Sequence, residues 1–193
     1  MISGEPPPDI STALKQRHFA FLPSLMSPAT AYRLEQKTRN LSSRRVSVGD
    51  NSATWDEQTL APDHEVVTMF SSAQVIDFIT SATRHDIRVI DLVCWIARYK
   101  NGEYIDRHKD NAGTLQLLVC LAAPPSENGG ALVLAPGPNE HRYVLRAGDG
   151  VLFSATTVEH CTTPLKPSVT YPDPIRVVAV ARYFLVGHTS TPL

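Results

Sequence analysis

Three side chains in the second half of the sequence have the types and spacing of a metal site. His108 and Asp110 stand two residues apart, after the turn residues Asn101 and Gly102. In an extended chain, residues i and i+2 project from the same face, so this imidazole and this carboxylate can converge on one ion. His160 follows 50 residues after Asp110, behind a short apolar run, and supplies a third ligand.

The donor set of this predicted site indicates which metal it would hold. Two histidines and one carboxylate leave three adjacent coordination positions open, which suits non-haem Fe(II) that binds a co-substrate and O₂ together. An H-x-D pair alone is weak evidence, and the site depends on the later His160. Because position 110 is aspartate rather than a small residue, no ligand position is open for a halide, and hydroxylation is favoured over halogenation.

Two arginines near the end of the sequence are candidates for binding an anionic co-substrate. A diacid bound to the metal through one end would leave its far carboxylate buried, and such a charge needs a fixed, preferably bidentate partner. Arg176 opens the last predicted strand and is the first candidate for this anchor. Arg182 lies on the same face of that strand and is the alternative.

The secondary-structure pattern changes along the chain from helical to β. Residues 27–40 and 72–85 are predicted helices separated by a polar loop, and Met1–Ile10, with three consecutive prolines, is predicted to be an extended arm. From Arg88 onward, short β-branched and aromatic runs alternate with turn residues. The predicted strands are 88–99, 103–108, 114–122, 130–135, 142–146, 150–154, 158–163 and 175–186.

These elements predict a mainly β protein with N-terminal helices (α+β), in which eight strands form a jelly roll and the helices cover one sheet. The chain has 193 residues, of which 42% are hydrophobic, so one domain is expected. Within it we predict an arm at 1–26, supporting helices and loops at 27–87, and the β core at 88–186.

Composition limits the partners that this chain is expected to have. The formal net charge is −1, so no global field attracts nucleic acid or an anionic membrane, and the apolar runs are short for a bilayer span. Neither a nucleic acid nor a membrane is therefore an expected partner. Three cysteines form no C-x-x-C pair, which fits reduced thiols and a cytoplasmic location.

A series of short motifs between residues 88 and 186 carries a family resemblance. In chain order the motifs are Tyr99, Gly102, His108-x-Asp110-Asn111, Leu115–Leu121, Glu127–Leu132, Ala147–Phe153, His160 and Arg176. The series resembles the Fe(II)/2-oxoglutarate-dependent oxygenases, and within them the prolyl-4-hydroxylase-like branch.

This resemblance implies a distorted double-stranded β-helix, with Fe(II), 2-oxoglutarate as co-substrate and O₂, and it leaves room for ascorbate as a reductant. It implies that His108, Asp110 and His160 hold the iron. It also implies that Arg176 anchors the C5 carboxylate of 2-oxoglutarate and that Tyr99 donates a hydrogen bond to the same molecule.

The function expected from the resemblance is hydroxylation of an unactivated C–H bond, with conversion of 2-oxoglutarate to succinate and CO₂. A small metabolite or free amino acid is the first expected substrate, and a prolyl-type peptide or protein is the alternative. A cupin-like, non-redox metal-binding protein is the alternative of another class. The usual cupin pattern has a glutamate shortly after H-x-D or its equivalent, and Asn111–Thr114 offers none.

Overall fold

A computed structural model describes residues 8–48, 53–83 and 87–187 of the chain. The helices are α1 (Pro8–Arg17), α2 (Pro28–Thr38), α3 (Glu65–Phe70) and α4 (Ala73–Thr83). The first five strands are β1 (Phe19–Leu22), β2 (Arg44–Val48), β3 (Ala53–Thr59), β4 (Ile87–Tyr99) and β5 (Leu115–Ala122). The remaining strands are β6 (Leu132–Ala135), β7 (His141–Tyr143), β8 (Gly150–Ser154), β9 (Glu159–Thr162) and β10 (Arg176–Gly187).

The strands form two antiparallel sheets, a large one in the order β1-β8-β5-β10-β4-β3-β2 and a small one in the order β7-β6-β9. From β1 to β4 the neighbours in the large sheet are distant in sequence, as expected for a jelly roll, whereas β4, β3 and β2 are consecutive along the chain. The predicted fold class, mainly β with N-terminal helices and a jelly-roll core, is confirmed.

Strand β10 shows how the two faces of the large sheet differ. Val177, Ala179, Ala181 and Tyr183 pack into an apolar cluster that includes the helices. The alternate residues Val178 and Val180 pack into a second cluster, between the two sheets. Because side chains alternate along a strand, β10 is covered by helices on one face and faces the interior of the jelly roll with the other.

Helix α2 begins at a local capping motif. Ser27 accepts a hydrogen bond from the backbone N–H of Thr30, and Pro28 occupies the first turn of α2, as its sequence predicts. Buried Ala31 and Leu34 then place α2 against the helix-covered face of the sheet. The predicted covering role of the helices is therefore confirmed.

The N-terminal half differs from its prediction in two places. The extended arm expected up to Ile10 is wrong from Pro8 onward, because α1 begins there and β1 then pairs with β8. The stretch predicted as a loop between the two helices contains β2, β3 and α3, and β3 pairs with β4. Both strands are rich in polar and charged residues, so their sequences resemble a loop. The predicted helix 72–85 corresponds to α4 (Ala73–Thr83), and its last two predicted residues lie outside the described part of the chain.

The β half agrees more closely, with one exception. A strand predicted at 103–108 is wrong, since this segment forms an isolated bridge at His108 rather than a ladder. Its Ile105 exchanges hydrogen bonds with Thr162, partly through the Thr162 hydroxyl, so side-chain bonding replaces a regular register. Among residues 8–48, 53–83 and 87–187, no helix is long and apolar enough to cross a bilayer.

Candidate metal centre and adjoining cavity

The structure brings His108, Asp110 and His160 together at one end of the space between the two sheets. Their ligand atoms all lie within 4.8 Å of one another. Nε2 of His108 is 3.9 Å from Oδ1 of Asp110, and Nε2 of His160 is 3.9 Å from Oδ2. The three residues predicted from sequence spacing could therefore hold one metal ion.

Backbone pairing fixes the two histidines side by side. His108 N–H donates to His160 O at 3.0 Å, and His160 N–H donates to His108 O at 2.8 Å. Asp110 N–H donates to Ala155 O at 3.1 Å, which fixes the third residue against the loop after β8. The isolated bridge thus brings residues more than fifty positions apart to a common point.

Each histidine ring is oriented through the nitrogen that faces away from the cluster. Nδ1 of His108 lies 2.7 Å from Asp106 O, and Nδ1 of His160 lies 3.1 Å from Val158 O. A carbonyl accepts from an N–H, so these contacts favour the tautomer whose Nε2 carries the lone pair. Burial, with a further contribution from His108, lowers the pKa of His160 to about 4, and a neutral imidazole is the form that binds metal.

The carboxylate of Asp110 is bonded on one side only. Nη2 of Arg182 donates to its Oδ1 at 2.5 Å. Its Oδ2 is buried and has no hydrogen-bond partner within the described ranges. A buried carboxylate oxygen without a partner is costly, so this atom is suited to a cation.

A cavity of about 450 Å³ opens beside His108, Asp110 and His160. Strands β3, β4, β5 and β10 of the large sheet line it on one side, and β6 and β9 of the small sheet on the other. The aromatic side chains of Trp55, Trp95 and Tyr99 and the apolar Val178 and Val180 supply much of the wall. This volume falls in the range of about 300–1,000 Å³ that is usual for small-molecule sites.

Arg176, the predicted anchor, lies in the wall of the same cavity. It is only 2% exposed, and its Nη2 has no hydrogen-bond partner among the described residues. A buried guanidinium in this condition is suited to an anion. Gly130, with φ +72°, lies against it: a Cβ there would be 3.5 Å from Arg176 Cδ and 2.7 Å from Leu165 Cδ2.

Tyr99, the predicted donor, is the strand partner of Arg176. The guanidinium carbon of Arg176 lies 5.5 Å from the centre of the Tyr99 ring. Burial raises the pKa of Tyr99 to about 12, so the phenol stays protonated and able to donate a hydrogen bond.

Arg182, the alternative anchor, is placed differently from Arg176. It pairs with Asp110 beside the three ligands and contacts Gln116 and Trp95. Gln116 was not predicted as a site residue, because it is a single polar residue in an otherwise apolar strand. The one available signal was its position inside the buried run Leu115–Leu121, where a polar side chain needs a partner.

Several known proteins have structures similar to that of this chain. No protein-family model matches the sequence. A Burkholderia pseudomallei oxidoreductase of the 2OG-Fe(II) oxygenase family has a similar structure, with a TM-score of 0.74 and 16% identity over 91% of this chain and 89% of that one. A Pseudomonas putida prolyl-4-hydroxylase is similar with a TM-score of 0.74 and 17% identity, covering 91% and 97%.

A third similar structure is SnoK, described as a non-heme alpha ketoglutarate dependent carbocyclase from nogalamycin biosynthesis, with a TM-score of 0.71 and 13% identity, covering 94% of this chain and 87% of that one. At these identities the likeness establishes the fold. The chain has the jelly-roll fold of the 2OG-Fe(II) oxygenases and presents, inside it, a His-Asp-His cluster that could bind iron.

Proposed function

We propose that this chain, as a single domain, is an Fe(II)- and 2-oxoglutarate-dependent oxygenase whose iron is held by His108, Asp110 and His160. One observation carries the proposal. The His108–Asp110–His160 cluster lines the same cavity as the buried guanidinium of Arg176, whose Nη2 has no hydrogen-bond partner among the described residues. A keto-diacid carries both a chelating end and a free carboxylate, and these two features of the cavity match its two ends.

The three side chains fit a divalent iron ion on the evidence of their own atoms. Oδ2 of Asp110 is buried without a hydrogen-bond partner in the described ranges, and both Nδ1 atoms contact carbonyls, which leaves the Nε2 atoms available. Two imidazoles and one carboxylate match the ligand set of non-haem Fe(II) oxygenases. The residues present therefore fit the metal.

Bound iron, with 2-oxoglutarate and O₂, would supply oxidation of a C–H bond together with decarboxylation of 2-oxoglutarate to succinate and CO₂. The side chains then have separate tasks. Arg176 binds the far carboxylate, protonated Tyr99 donates a hydrogen bond to the co-substrate, and the apolar wall limits water near the reacting atoms. Ascorbate, if it is used, would serve as an external reductant.

For the substrate, we propose a small metabolite or amino acid that undergoes hydroxylation. The cavity of about 450 Å³ beside the cluster lies within the range of about 300–1,000 Å³ that is usual for small-molecule sites, which supports this substrate class. A prolyl-type peptide is the second candidate, favoured by the similarity to a Pseudomonas putida prolyl-4-hydroxylase. A Trichoplax adhaerens prolyl hydroxylase in complex with a peptide fragment is also similar, with a TM-score of 0.68.

The metal and co-substrate can be tested together by anaerobic titration with Fe(II) and then 2-oxoglutarate. The wild-type protein is expected to develop the visible metal-to-ligand charge-transfer band of a chelated keto acid. Asp110→Ala removes a metal ligand and is expected to abolish the band. Asp106→Ala, which removes an exposed acid two residues before His108, is the matched control and should retain it.

Two results would contradict the proposal: no band in the wild-type protein, or an undiminished band in Asp110→Ala. Metal binding without any 2-oxoglutarate band would instead favour a non-redox, cupin-like protein. Succinate release with a panel of free amino acids and of proline-containing peptides then separates the two substrate classes.

A further inference from the structure

Two arginines on β10 face the cavity and differ in their ion pairing. Arg176 and Arg182 are six residues apart on one strand face, a separation of about 20 Å along the backbone at about 3.3 Å per residue. Arg176 has a buried Nη2 without a partner in the described ranges, whereas Arg182 already pairs with Asp110. Arg176 can therefore accept an anionic ligand, whereas the charge of Arg182 is already paired with a carboxylate.

Besides the pair with Asp110, three contacts hold the guanidinium of Arg182 in place. Its Nε and Nη2 both donate to Gln116 Oε1, at 3.2 and 3.1 Å, and its guanidinium carbon lies 5.1 Å from the centre of the Trp95 ring. Gly113 passes under its aliphatic stem, where a Cβ would lie 2.4 Å from Arg182 Cγ. With φ +84°, Gly113 also has a backbone conformation that favours glycine. The surroundings hold this side chain before any ligand arrives.

This fixed guanidinium makes the two oxygens of Asp110 unequal. Nη2 of Arg182 donates a hydrogen bond to Oδ1, whereas Oδ2 is buried without a hydrogen-bond partner among the residues described. A carboxylate with two free oxygens can rotate and can bind a metal through one oxygen or both. Once Oδ1 is held by a charge-assisted hydrogen bond, rotation is opposed and Oδ2 is the oxygen presented to the ion.

We propose that Arg182 is a positioning residue of the metal centre, which holds Oδ1 of Asp110 through the Gln116–Trp95–Gly113 support and leaves Oδ2 for the metal. The inference rests on the proposed function, because it takes Asp110 to be a ligand. It also assigns the two arginines: Arg176 binds the co-substrate carboxylate, and Arg182 orients the ligand.

The sign of one measurement separates positioning from a simple charge effect. A cation close to the site repels a metal ion, so on charge alone the removal of Arg182 would tighten metal binding. Loss of orientation would instead weaken metal binding. Substitution of a residue that orients a metal ligand typically lowers metal affinity by about 10–100-fold. We expect Arg182→Met to bind Mn(II) about 10–100-fold more weakly than the wild type, measured by electron paramagnetic resonance without 2-oxoglutarate.

Matched variants make the comparison specific. Arg107→Met removes another arginine that lines the cavity, one that is exposed and pairs with Glu140 and Glu159, and it should change Mn(II) affinity by less than about 3-fold. Gln116→Leu removes a support of Arg182 but leaves Arg182 itself, and should weaken Mn(II) binding by a smaller factor than Arg182→Met. If Arg182→Met fails to fold in a thermal melt, Gln116→Leu provides the test.

The outcomes distinguish this inference from the proposed function. If the wild-type protein binds no Mn(II), the metal centre itself is wrong. If the wild type binds Mn(II) but folded Arg182→Met, or Gln116→Leu in its place, binds as tightly or more tightly, the positioning role is overturned and the metal centre stands. The role is also overturned if folded Arg182→Met keeps its Mn(II) affinity but loses 2-oxoglutarate affinity, because Arg182 would then be the anchor.

Discussion

Among single residues, Arg176 shows most clearly how function and stability oppose each other. A guanidinium at 2% exposure whose Nη2 lacks a hydrogen-bond partner in the described chain destabilises the fold, since a buried charge is costly without a partner. The Tyr99 ring at 5.5 Å offsets only part of this cost. Retention of a charge in this position is understandable if an anionic ligand completes the pairing.

Arg176→Met is therefore expected to separate binding from stability. Loss of a charge-assisted contact worth about 1.5–3 kcal/mol should weaken 2-oxoglutarate binding by about 10–100-fold. Without 2-oxoglutarate, the free energy of unfolding should stay the same or rise, because an apolar side chain replaces a poorly partnered charge. Titration of the charge-transfer band and urea unfolding measure the two effects.

The control for this prediction is Arg107→Met, which leaves Arg176 intact and should keep the 2-oxoglutarate affinity and the free energy of unfolding near their wild-type values. Unchanged 2-oxoglutarate affinity in Arg176→Met would contradict the role of Arg176. A large loss of stability without ligand would show instead that the guanidinium supports the fold.

At the scale of elements, strand β10 joins the helix layer to the cavity through its two faces. Tyr183 is fully buried on the helix-covered face, and its hydroxyl donates to Phe70 O at 3.0 Å. The next residue toward the N-terminus, Arg182, faces the cavity and pairs with Asp110. Adjacent positions of one strand therefore belong to different layers of the molecule.

Because Tyr183 and Arg182 face different layers, a substitution at Tyr183 is expected to change stability without changing metal affinity. Tyr183→Phe should lower the free energy of unfolding by about 1 kcal/mol and the melting temperature by about 2–4 °C, because one buried hydrogen bond is lost. Mn(II) affinity should not change, since the hydroxyl lies on the opposite face of β10 from the proposed metal ligands. Tyr32→Phe, which alters a tyrosine that is 62% exposed, is the matched control and should change neither quantity. A loss of metal affinity in Tyr183→Phe would show that the two faces are coupled.

For the molecule as a whole, the burial of two thiols makes the free energy of unfolding depend on pH. Burial raises the pKa of Cys94 to about 12 and that of Cys120 to about 11, above the value of about 8.5 for an unfolded thiol. The protonated thiols therefore contribute stability that is fully present below about pH 8.5. This contribution is lost as pH rises toward the folded pKa values, because the unfolded chain then binds fewer protons.

The double variant Cys94→Ala/Cys120→Ala tests this linkage. Between pH 8 and pH 10, the free energy of unfolding should fall less steeply in the variant than in the wild type. Urea unfolding at several pH values gives both slopes, and other ionising groups are common to the two proteins. Parallel slopes would contradict a contribution from these buried thiols.

Much of the β core could be predicted from the sequence because its patterns are local. The alternation along residues 175–186 and the run Leu115–Leu121 closely match β10 and β5, and the spacing of His108 and Asp110 already placed them on one face. Strands β2 and β3 could not be found this way, because they are rich in polar and charged residues, and strand propensity depends strongly on context. The bridge at His108 likewise depends on pairing with a distant segment.

The sequence by itself determined the types of the ligands, their order and the arrangement of alternating strands, because these depend on residues close together in the chain. Only the tertiary structure decided which arginine is paired. Arg176 and Arg182 are equivalent in a strand pattern, but Arg182 meets Asp110 across 72 positions and Arg176 meets no carboxylate among the described residues. Burial and pairing depend on such distant contacts, which a local pattern does not contain.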